Sequence, residues 1–435
     1  MSLPHSNRKV FALADVNSMY ASCEQIYQPK LRGKPVVVLS NNDGCIIAQS
    51  KEAKALLDIY MCRPWFELEK QAVKLGVIAL SSNYELYADM SNRFVETLRT
   101  FTPRIEVYSI DECFLDMTGM NTSLIEYGTV IKDTVKQWTG LPICVGFGHT
   151  KTLAKLANHI AKKQPQYNGV CDLTAMTESE LDALMEKLPV SKVWGVGNKV
   201  EAKLNKLGVE NVLRLKRADC KRIRDEFNVV LERTVKELNG EPWLKIEETF
   251  LESKQVMSSR SFGKRVETLE ELEEAISYHV SNACKRLRKQ NLFANAITVF
   301  IQNSPYDKDP YYAPSYTLGL PSPTNDTMQL ANVALWVLNK LYKEGIYYLK
   351  GGVMLSDLVP EAGQQMDIFG FSNQNERSQK LMETMDKINI KFPHNNIKLA
   401  SEGTKKSWVM KRNLKSPNYT TEWKDLPVTV PPRAF

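Results

Sequence analysis

The residues Val10–Phe11–Ala12–Leu13–Ala14–Asp15 place five apolar side chains in a row directly before a carboxylate. Because no polar residue alternates with the apolar ones, this run predicts a strand that is buried on both faces. The runs Val36–Leu39 and Leu141–Phe147 have the same character. Helices are predicted over Asn83–Thr100, from its apolar spacing, and over the lysine-bearing stretch Thr150–Lys163. This alternation predicts an α+β fold around a central sheet.

Three carboxylates lie where predicted strands end or break. Asp15 ends the first strand, and the strand-like stretch Arg104–Met117 breaks near Asp111 and Glu112. Buried carboxylates need partners, and three of them would form an oxygen-only site that suits Mg²⁺ together with substrate phosphates. Two such ions could serve a transfer reaction at phosphorus. The spacing alone leaves an alternative open, because an Asp after a strand is commonly a turn residue and an adjacent Asp–Glu is commonly solvated.

Size and charge point to several domains and to an anionic partner. A chain of 435 residues exceeds one ordinary core, so about two to four domains are expected. The net charge is +7, and the stretch from Lys187 to Arg265 holds 18 Lys and Arg against 11 Asp and Glu. A surplus concentrated in one stretch suits a phosphate backbone better than a small substrate. Eight cysteines without a CxxC pair indicate neither a zinc site nor a disulfide framework.

The second half of the chain has its own pattern of helices and strands. Short helices with glycine-bearing turns are expected up to about Gly240, followed by a polar linker. A strand–helix–strand pattern then resumes at Ser259. The predicted elements are helices over Leu269–Lys289 and Asp326–Tyr342, strands over Ala296–Gln302 and near Val353–Leu358, and an amphipathic piece over Ser378–Ile390.

Several strings together resemble Y-family DNA polymerases. They are Asp15-Val-Asn-Ser-Met-Tyr-Ala-Ser-Cys-Glu24, Ser109-Ile-Asp-Glu112 and Ser81-Ser-Asn-Tyr-Glu-Leu-Tyr-Ala-Asp-Met90. The last of these, with Ser40-Asn-Asn-Asp-Gly-Cys45, resembles the UmuC type in particular, the catalytic subunit of DNA polymerase V. The resemblance implies an α+β multidomain, right-hand polymerase. Its parts would be a palm at 1–18 and 83–172, small fingers at 19–82, a helical thumb with a helix-hairpin-helix at 173–243, a linker at 244–258, an α+β little finger at 259–360, and a C-terminal tail at 361–435.

The resemblance also implies the roles of individual residues near the carboxylates. Asp15, Asp111 and Glu112 match the metal-binding and catalytic triad, with the carbonyl of Val16 as a further ligand of two Mg²⁺ ions. Tyr20 matches the steric gate, an aromatic ring beneath the sugar of the incoming nucleotide that would collide with a 2′-hydroxyl. Without the motif, Tyr20 would be taken for a core aromatic of a helix.

Other nucleotide contacts follow from the same resemblance. Lys54 and Lys162 match basic positions on the triphosphate, although a lone helical Lys is otherwise a solvated surface residue. Cys45 and Ile47 match the roof over the nascent base pair. Because neither is a bulky aromatic, the pocket is expected to be open and to discriminate poorly between correct, wrong and damaged bases. One departure lies at 56–63, a loop that is one residue longer than in relatives and lacks both glycines, which implies a different backbone path.

DNA contacts are predicted in the basic middle segment and the little finger. Gly195, Gly197 and Lys199 lie in a string similar to a helix-hairpin-helix turn, where glycines let backbone N–H groups approach a phosphate. Arg260 and Lys264 resemble little-finger residues that hold the DNA backbone without reading sequence. The basic helix positions assigned to the same role are Lys285, Arg286, Arg288 and Lys289.

The tail resembles partner-binding sequences. Gln365, Ile368 and Phe369 lie in a string similar to the peptide by which polymerases bind the sliding clamp, where an aliphatic–aromatic pair can enter an apolar pocket. The stretches Trp408–Arg412 and Ser416–Trp423 are similar to the tail of UmuC-type proteins. That resemblance implies a processed UmuD dimer and the RecA filament as partners, besides damaged primer-template DNA and dNTP.

The functional hypothesis is error-prone translesion synthesis by a cytoplasmic, nucleoid-associated DNA polymerase of the SOS response. Met1–Lys9 contains no apolar stretch like a signal peptide, and no apolar run is long enough to span a bilayer. One alternative is a catalytically weak scaffold that binds DNA and the clamp at stalled forks. The altered loop at 56–63 favours this alternative. A nucleotide cyclase on a similar palm is a further alternative, which the basic domain disfavours.

Overall fold

The chain forms two compact units, each with its own core. The computed structural model describes residues 8–56, 63–247, 253–307, 309–360, 376–392, 397–404 and 406–427. The first unit comprises Met1–Ser40, Cys45–Phe250 and Leu414–Phe435, and the second comprises Asn41–Gly44 and Leu251–Asn413. None of the helices described has the length and apolar content that crossing a bilayer requires.

Strand β1, Phe11–Val16, is the centre of a five-stranded sheet in the first unit, and all six of its residues are buried. It pairs antiparallel with β6, Glu112–Asp116, on one side and with β7, Ile143–Gly148, on the other. Short strands complete the sheet at its edges, β5 at Ile105–Val107 and β8 at Val170–Asp172. The predicted central strand is confirmed, and it continues one residue beyond Asp15.

Helices cover both faces of this sheet. Ala12 and Ala14 pack with apolar residues of α4, Tyr84–Arg99, and α5, Leu124–Thr139. On the opposite face, α6, Lys151–Lys163, lies directly against the strands. The predicted helices at α4 and α6 are confirmed, and each is capped by the side chain of the residue before it, which accepts a backbone N–H of the first turn.

Glycine in β7 lets α6 approach the sheet closely. A Cβ atom built on Gly146 would lie 2.1 Å from the backbone nitrogen of Asn158, so only glycine fits there. Asn158 uses this proximity, because its side-chain amide donates to the carbonyl oxygens of Leu13 and Cys144 at 3.1 and 2.8 Å. The close packing fixes where the lysines of α6 stand relative to the end of β1.

The remainder of the first unit forms a small sheet and a set of short helices. The small sheet has β2, Val36–Leu39, at its centre, antiparallel to β3, Ile46–Gln49, and parallel to β4, Ile78–Ser81. Its helices are α1, Met19–Tyr27, α2, Lys51–Leu56, and α3, Trp65–Lys74. The helices that follow the central sheet are α7, Glu178–Glu186, α8, Asn198–Lys206, α9, Val212–Lys216, α10, Cys220–Glu226, and α11, Val229–Leu238.

The second unit is a four-stranded antiparallel sheet with helices packed on it. The strand order is β11-β10-β12-β9, and the apolar faces of the two long helices form its core. Its first strand begins at Gln255, four residues before the position predicted for the little finger. The bounds are β9, Gln255–Val266, α12, Leu269–Lys289, β10, Leu292–Gln302, β11, Ser315–Thr324, α13, Thr327–Leu341, β12, Tyr348–Pro360, and α14, Glu376–Lys391.

Candidate active site

The strand register brings the predicted carboxylates to one end of the central sheet. Asp15 of β1 is the direct partner of Glu112 of β6 in the antiparallel ladder. Directly opposite residues point to the same face, with Cβ atoms about 5 Å apart. The backbone N–H of Val16 donates to the carbonyl oxygen of Asp111 at 2.9 Å, which holds the third residue beside the other two.

Asp111 is oriented by the turn between β5 and β6. The hydroxyl of Ser109 donates to the Asp111 carboxylate at 2.7 Å, and it accepts the backbone N–H of Glu112 at 3.1 Å. The backbone N–H groups of Tyr108 and Ser109 both donate to the carbonyl oxygen of Glu112 at 3.1 Å. The predicted break in the strand is this turn, and it lets neighbouring carboxylates reach the same region.

The electrostatics of Asp15 reflect this crowding. Burial raises the pKa of its carboxyl to about 7, although the Lys162 ammonium beside it lowers that pKa. The charges of Glu112 and Asp111 raise it further. Like charges gathered in a poorly hydrated place favour a cation, which removes the repulsion between them.

Two lysines of α6 neutralise two of the carboxylates. Lys162 forms an ion pair with Asp15, and Lys155 contacts both oxygens of Glu112 at 2.8 and 2.9 Å. The two lysines are seven residues apart, which is two helical turns, so they lie on the same face. The role of Lys155 was not predicted from the sequence, although this spacing from Lys162 could have indicated it.

Lys155 is also enclosed by aromatic rings. Its ammonium lies 4.8 Å from the ring centre of Tyr108 and 5.3 Å from that of Trp194. The indole N–H of Trp194 donates to the Tyr108 hydroxyl at 3.3 Å. The electron-rich faces of the two rings attract the positive charge of the lysine, which lies beside Glu112.

The donor chemistry of this group suits a hard divalent cation. The three side chains offer oxygen atoms only, which Mg²⁺ prefers. Within the part of the chain that the structure describes, no three His, Cys, Asp or Glu side chains are arranged as the ligands of one ion. Asp15 and Glu112 are instead paired with Lys162 and Lys155, so a cation would have to displace these ammonium groups to reach those two carboxylates.

Tyr20 lies on α1 next to the carboxylates. Its half-buried ring stacks on Tyr87 of α4, with ring centres 4.5 Å apart and an angle of 14° between the planes. Tyr84 meets the same ring edge-on at 5.9 Å. Burial raises the pKa of the Tyr20 hydroxyl, with further contributions from Tyr84 and Asp111. The predicted sugar-gate residue and the predicted metal ligands are therefore neighbours.

The predicted triphosphate lysines gather at the same place. The ammonium of Lys54, on α2, donates to the Ser18 hydroxyl at 2.8 Å. Partial removal from water lowers the pKa of Lys54. The positive charges of Lys162 and Lys163 lower it further, and the negative charge of Asp15 raises it. Positive charge from two helices is thus concentrated beside Asp15.

The predicted roof residues belong to the small sheet. The half-buried Ile47 packs against the same core cluster as Tyr20. The backbone N–H of Cys45 donates to the hydroxyl of Ser40 at 3.0 Å, and Cys45 forms a bridge with Pro64. The residues at 57–62, within the altered loop, lie outside the described part of the chain.

The predicted phosphate-binding turn is open to solvent. Gly195 has a φ of +87°, which favours glycine, and a Cβ at Gly195 or Gly197 would meet no atom within 4 Å. Gly197 caps α8, and Lys199 in the first turn of that helix is exposed. The backbone N–H groups at the start of α8 are therefore accessible to an anion.

Basic residues of the second unit divide into exposed and engaged ones. Lys264 of β9 is exposed, whereas Arg260 is half-buried and near His279, whose pKa it helps to lower. Arg288, predicted to lie on a DNA-binding helix face, instead makes two hydrogen bonds to the carboxylate of Asp386 at 2.7 and 3.0 Å. It attaches α14 to α12, so its guanidinium is occupied within the unit.

The chain is similar to proteins of one family over most of its length. The model of the impB/mucB/samB family matches residues 14–159, and that of the family's C-terminal domain matches residues 253–368. Protein UmuC from Salmonella typhimurium is 44% identical over 421 residues, which cover 96% of this chain and 99% of that relative. The chain belongs to the impB/mucB/samB family. The predicted resemblance to UmuC-type proteins of the Y family is thereby confirmed.

More distant relatives and solved structures agree with this family. Protein ImpB from Salmonella typhimurium is 41% identical over 96% of this chain and 99% of that relative. DNA polymerase IV from Pelotomaculum thermopropionicum is 26% identical over 88% of this chain and 93% of that relative. A solved Y-family DNA polymerase chimera of Dbh and Dpo4 has a TM-score of 0.64 at 20% identity, covering 81% of this chain and 99% of the chimera. The insertion ternary complex of Dbh DNA polymerase, with the same coverage, has a TM-score of 0.54 at 19% identity.

These likenesses confirm the predicted fold of the impB/mucB/samB protein. The right-hand polymerase architecture agrees with the solved structures, and a model of the family's helix-hairpin-helix motif matches residues 178–209. A model described as a domain of unknown function, DUF4113, matches residues 379–429. The predicted clamp residues Gln365, Ile368 and Phe369 lie outside the described part of the chain.

Proposed function

We propose that the chain is a template-directed DNA polymerase that carries out error-prone translesion synthesis past damaged bases in the SOS response. Relatives named UmuC and DNA polymerase IV support the activity. One observation within this chain carries the proposal, namely the ladder register that sets Asp15 opposite Glu112 with Asp111 beside them. A primed, damaged template and dNTP are the substrates.

Asp15, Asp111, Glu112 and the carbonyl of Val16 would hold two Mg²⁺ ions, whose positive charge would supply the activation of a 3′-hydroxyl and the stabilisation of pyrophosphate. The protein's own positive charges complete this chemistry. Lys54 and Lys162 lie where triphosphate oxygens would enter, and their ammonium groups suit those oxygens. Lys162 exchanges its carboxylate for phosphate when the nucleotide binds.

The shape of the nucleotide pocket selects for the deoxyribose sugar but leaves room for different bases. The Tyr20 ring is supported from behind by Tyr87, so it cannot recede from a 2′-hydroxyl, and ribonucleotides are excluded. Above the base pair, Cys45 and Ile47 leave more room than aromatic residues would. A loose pocket discriminates weakly between bases and accepts damaged ones.

Backbone contacts hold the duplex. Gly195 and Gly197 offer open N–H groups to a phosphate, and Lys199 adds a nearby positive charge. Lys264 is exposed for the same purpose, and Arg260 reaches the backbone from its half-buried position. Contacts of this kind set position and do not read sequence.

The same proposal includes partners that regulate access to DNA. A processed UmuD dimer and the RecA filament bind the chain, as the resemblance of its tail implies. The sliding clamp binds through Gln365, Ile368 and Phe369. The protein then works in the cytoplasm on the nucleoid.

A scaffold without catalysis is less favoured. Glu112 and Asp111 both raise the pKa of Asp15, which means that the fold maintains repelling carboxylates close together. A protein that only occupied stalled forks would have no use for such a group beside DNA phosphates.

Primer extension on a damaged template tests the catalytic assignment. With Mg²⁺, dNTP, processed UmuD and a RecA filament, the wild-type chain should extend the primer and Asp111→Ala should not. Asp133→Ala, which changes an exposed carboxylate of α5, should extend it normally. Normal extension by Asp111→Ala refutes the site, and absence of extension by the wild type favours the scaffold.

A further inference from the structure

The last described stretch of the chain packs against the first helix. Residues 414–427, here called the closing segment, belong to the first unit although they follow the whole of the second unit in sequence. Leu414 and Ser81 exchange hydrogen bonds, and Lys415 forms a parallel bridge with Ser81 at the end of β4. The segment thus begins as an addition to the small sheet.

Ser416 enters a buried polar network. Its hydroxyl donates to the carboxylate of Glu24 at 3.0 Å and accepts the side-chain amide of Asn83 at the same distance. The Asn83 amide also donates to the carbonyl oxygens of Ser416 and Pro417 at 3.2 and 3.1 Å. Glu24 and Asn83 are fully buried and have no access to water, so their polar atoms depend on these hydrogen bonds.

The network leads to the proposed sugar gate. The Tyr87 hydroxyl donates to the same oxygen of Glu24 that Ser416 contacts, at 2.7 Å. The ring of Tyr87 is fully buried and stacks on Tyr20. Asn83 caps α4, the helix that carries Tyr87, by accepting the backbone N–H of Leu86. Two side chains, those of Glu24 and Tyr87, therefore separate Ser416 from Tyr20.

A second contact attaches the segment to the same pair of helices. The Tyr419 ring stacks on Tyr27 of α1, with centres 5.3 Å apart and planes 7° apart. Tyr27 in turn contacts the sulfur of Met90 on α4 with its hydroxyl. The closing segment thus contacts α1 at both Glu24 and Tyr27.

We propose that the closing segment positions the sugar gate, with Ser416 and Tyr419 as positioning residues that hold Tyr87 behind Tyr20. The segment therefore contributes to the exclusion of ribonucleotides. This inference rests on the proposed function, since it assumes that Tyr20 contacts the nucleotide sugar. Residues near the end of the DUF4113 region would thus influence the active site through Glu24 and Tyr87, without contacting the substrate themselves.

The physical reason is the stiffness of the gate. Tyr20 excludes a 2′-hydroxyl only if the ring behind it does not give way. Burial raises the pKa of Glu24, whereas its hydrogen bonds from Tyr87 and Ser416 lower it. Loss of the Ser416 hydroxyl removes one of the hydrogen bonds that fix the position of the Glu24 carboxylate, so the Tyr87 hydroxyl is then bonded to an acceptor that is placed less firmly.

Single-nucleotide incorporation with dNTP and rNTP tests the proposal on the full chain. In Ser416→Ala and in Tyr87→Phe, the ratio of kcat/KM for dNTP to that for rNTP should fall by about three- to tenfold, the worth of one buried hydrogen bond. The kcat/KM for dNTP should change by less than about twofold, because no group touching the deoxynucleotide is removed. Thr421→Ala, an exposed change in the same segment, should leave the ratio unchanged.

A double-mutant cycle separates this inference from the function it assumes. Tyr20→Ala should lower the sugar ratio strongly, and adding Ser416→Ala to it should have no further effect, because the two residues act through one ring. If Tyr20→Ala lowers the ratio and Ser416→Ala and Tyr419→Ala do not, the closing segment is only a stabilising strap and the inference is wrong. If Tyr20→Ala leaves the ratio unchanged, the sugar gate itself is refuted, and the inference is refuted with it.

Discussion

Replacing Gly146 by alanine should move the helix that carries the active-site lysines. The new Cβ atom would lie 2.1 Å from the backbone nitrogen of Asn158 and 2.6 Å from the carbonyl oxygen of Ala154. Both atoms belong to the backbone of α6, so no side-chain rotation can relieve the overlap. The helix must retreat from β7 or the strand must bend.

The size of the movement follows from these distances. Ordinary contact begins near 3.4 Å, so the helix and strand must separate by more than about 1 Å. Overpacking of this kind costs about 1–3 kcal/mol of stability. The displaced helix carries Lys155 and Lys162 away from Glu112 and Asp15, and misplacement by about 1 Å can cost about 100-fold in rate.

Single-turnover incorporation of a dNTP and thermal unfolding measure the two effects together. Gly146→Ala should incorporate about 100-fold more slowly at saturating dNTP and should melt at a lower temperature. Gly319→Ala is the matched control, because a Cβ at that position of β11 meets no atom within 4 Å. A Gly146→Ala protein with wild-type melting and wild-type rate would show that close contact between α6 and β7 does not set the site.

Two further predictions concern pH and salt. Burial lowers the pKa of His279 to about 4. Between pH 6.5 and 4 its imidazole therefore stays neutral in the folded protein, whereas in the unfolded chain it takes up a proton below about pH 6.5. The contribution of His279 to the free energy of unfolding should therefore fall by about 3 kcal/mol between pH 6.5 and 4. Urea titrations should show it as a difference between wild type and His279→Gln that changes by this amount over the range, because the raised pKa values of Asp15 and Glu24 affect both proteins alike. In anisotropy measurements, Lys199→Gln should reduce the slope of log affinity for primed DNA against log salt by about 1. Lys203→Gln should reduce this slope less, because the Lys203 ammonium already pairs with Glu226. Equal slopes for the two variants would contradict the placement of Lys199 at a phosphate.

Much of the fold could be predicted because local pattern and burial agree. Helix α12 spans the predicted Leu269–Lys289, and β1 and α6 differ from their predicted bounds by one or two residues. Strand β11 was not predicted, because Pro321 and Pro323 within it argue against a strand; it is an edge strand, where proline is tolerated. Helix α5 was likewise not predicted.

The sequence could predict which residues form the candidate site, but not which of them contact one another. The strand ends and motifs predict Asp15, Asp111 and Glu112, and the ladder register with the bond from Val16 to Asp111 brings them to one end of the sheet. Pairing between Lys155 and Glu112 depends on how α6 lies on the sheet, which no local pattern contains. The bond between Glu24 and Ser416 joins positions 392 residues apart, which only the tertiary fold can specify.

That separation has a consequence for how the protein is made. At synthesis rates of about 5–20 residues per second, Ser416 leaves the ribosome roughly 20 to 80 s after Glu24. During that interval the first helix lacks the packing partner that Ser416 provides. A chain that stops before Ser416 would contain Asp15, Asp111 and Glu112 but not the hydroxyl that completes the network around Glu24. Under the proposed role of the closing segment, selection against ribonucleotides would therefore be complete only after Ser416 has been made and has packed against Glu24.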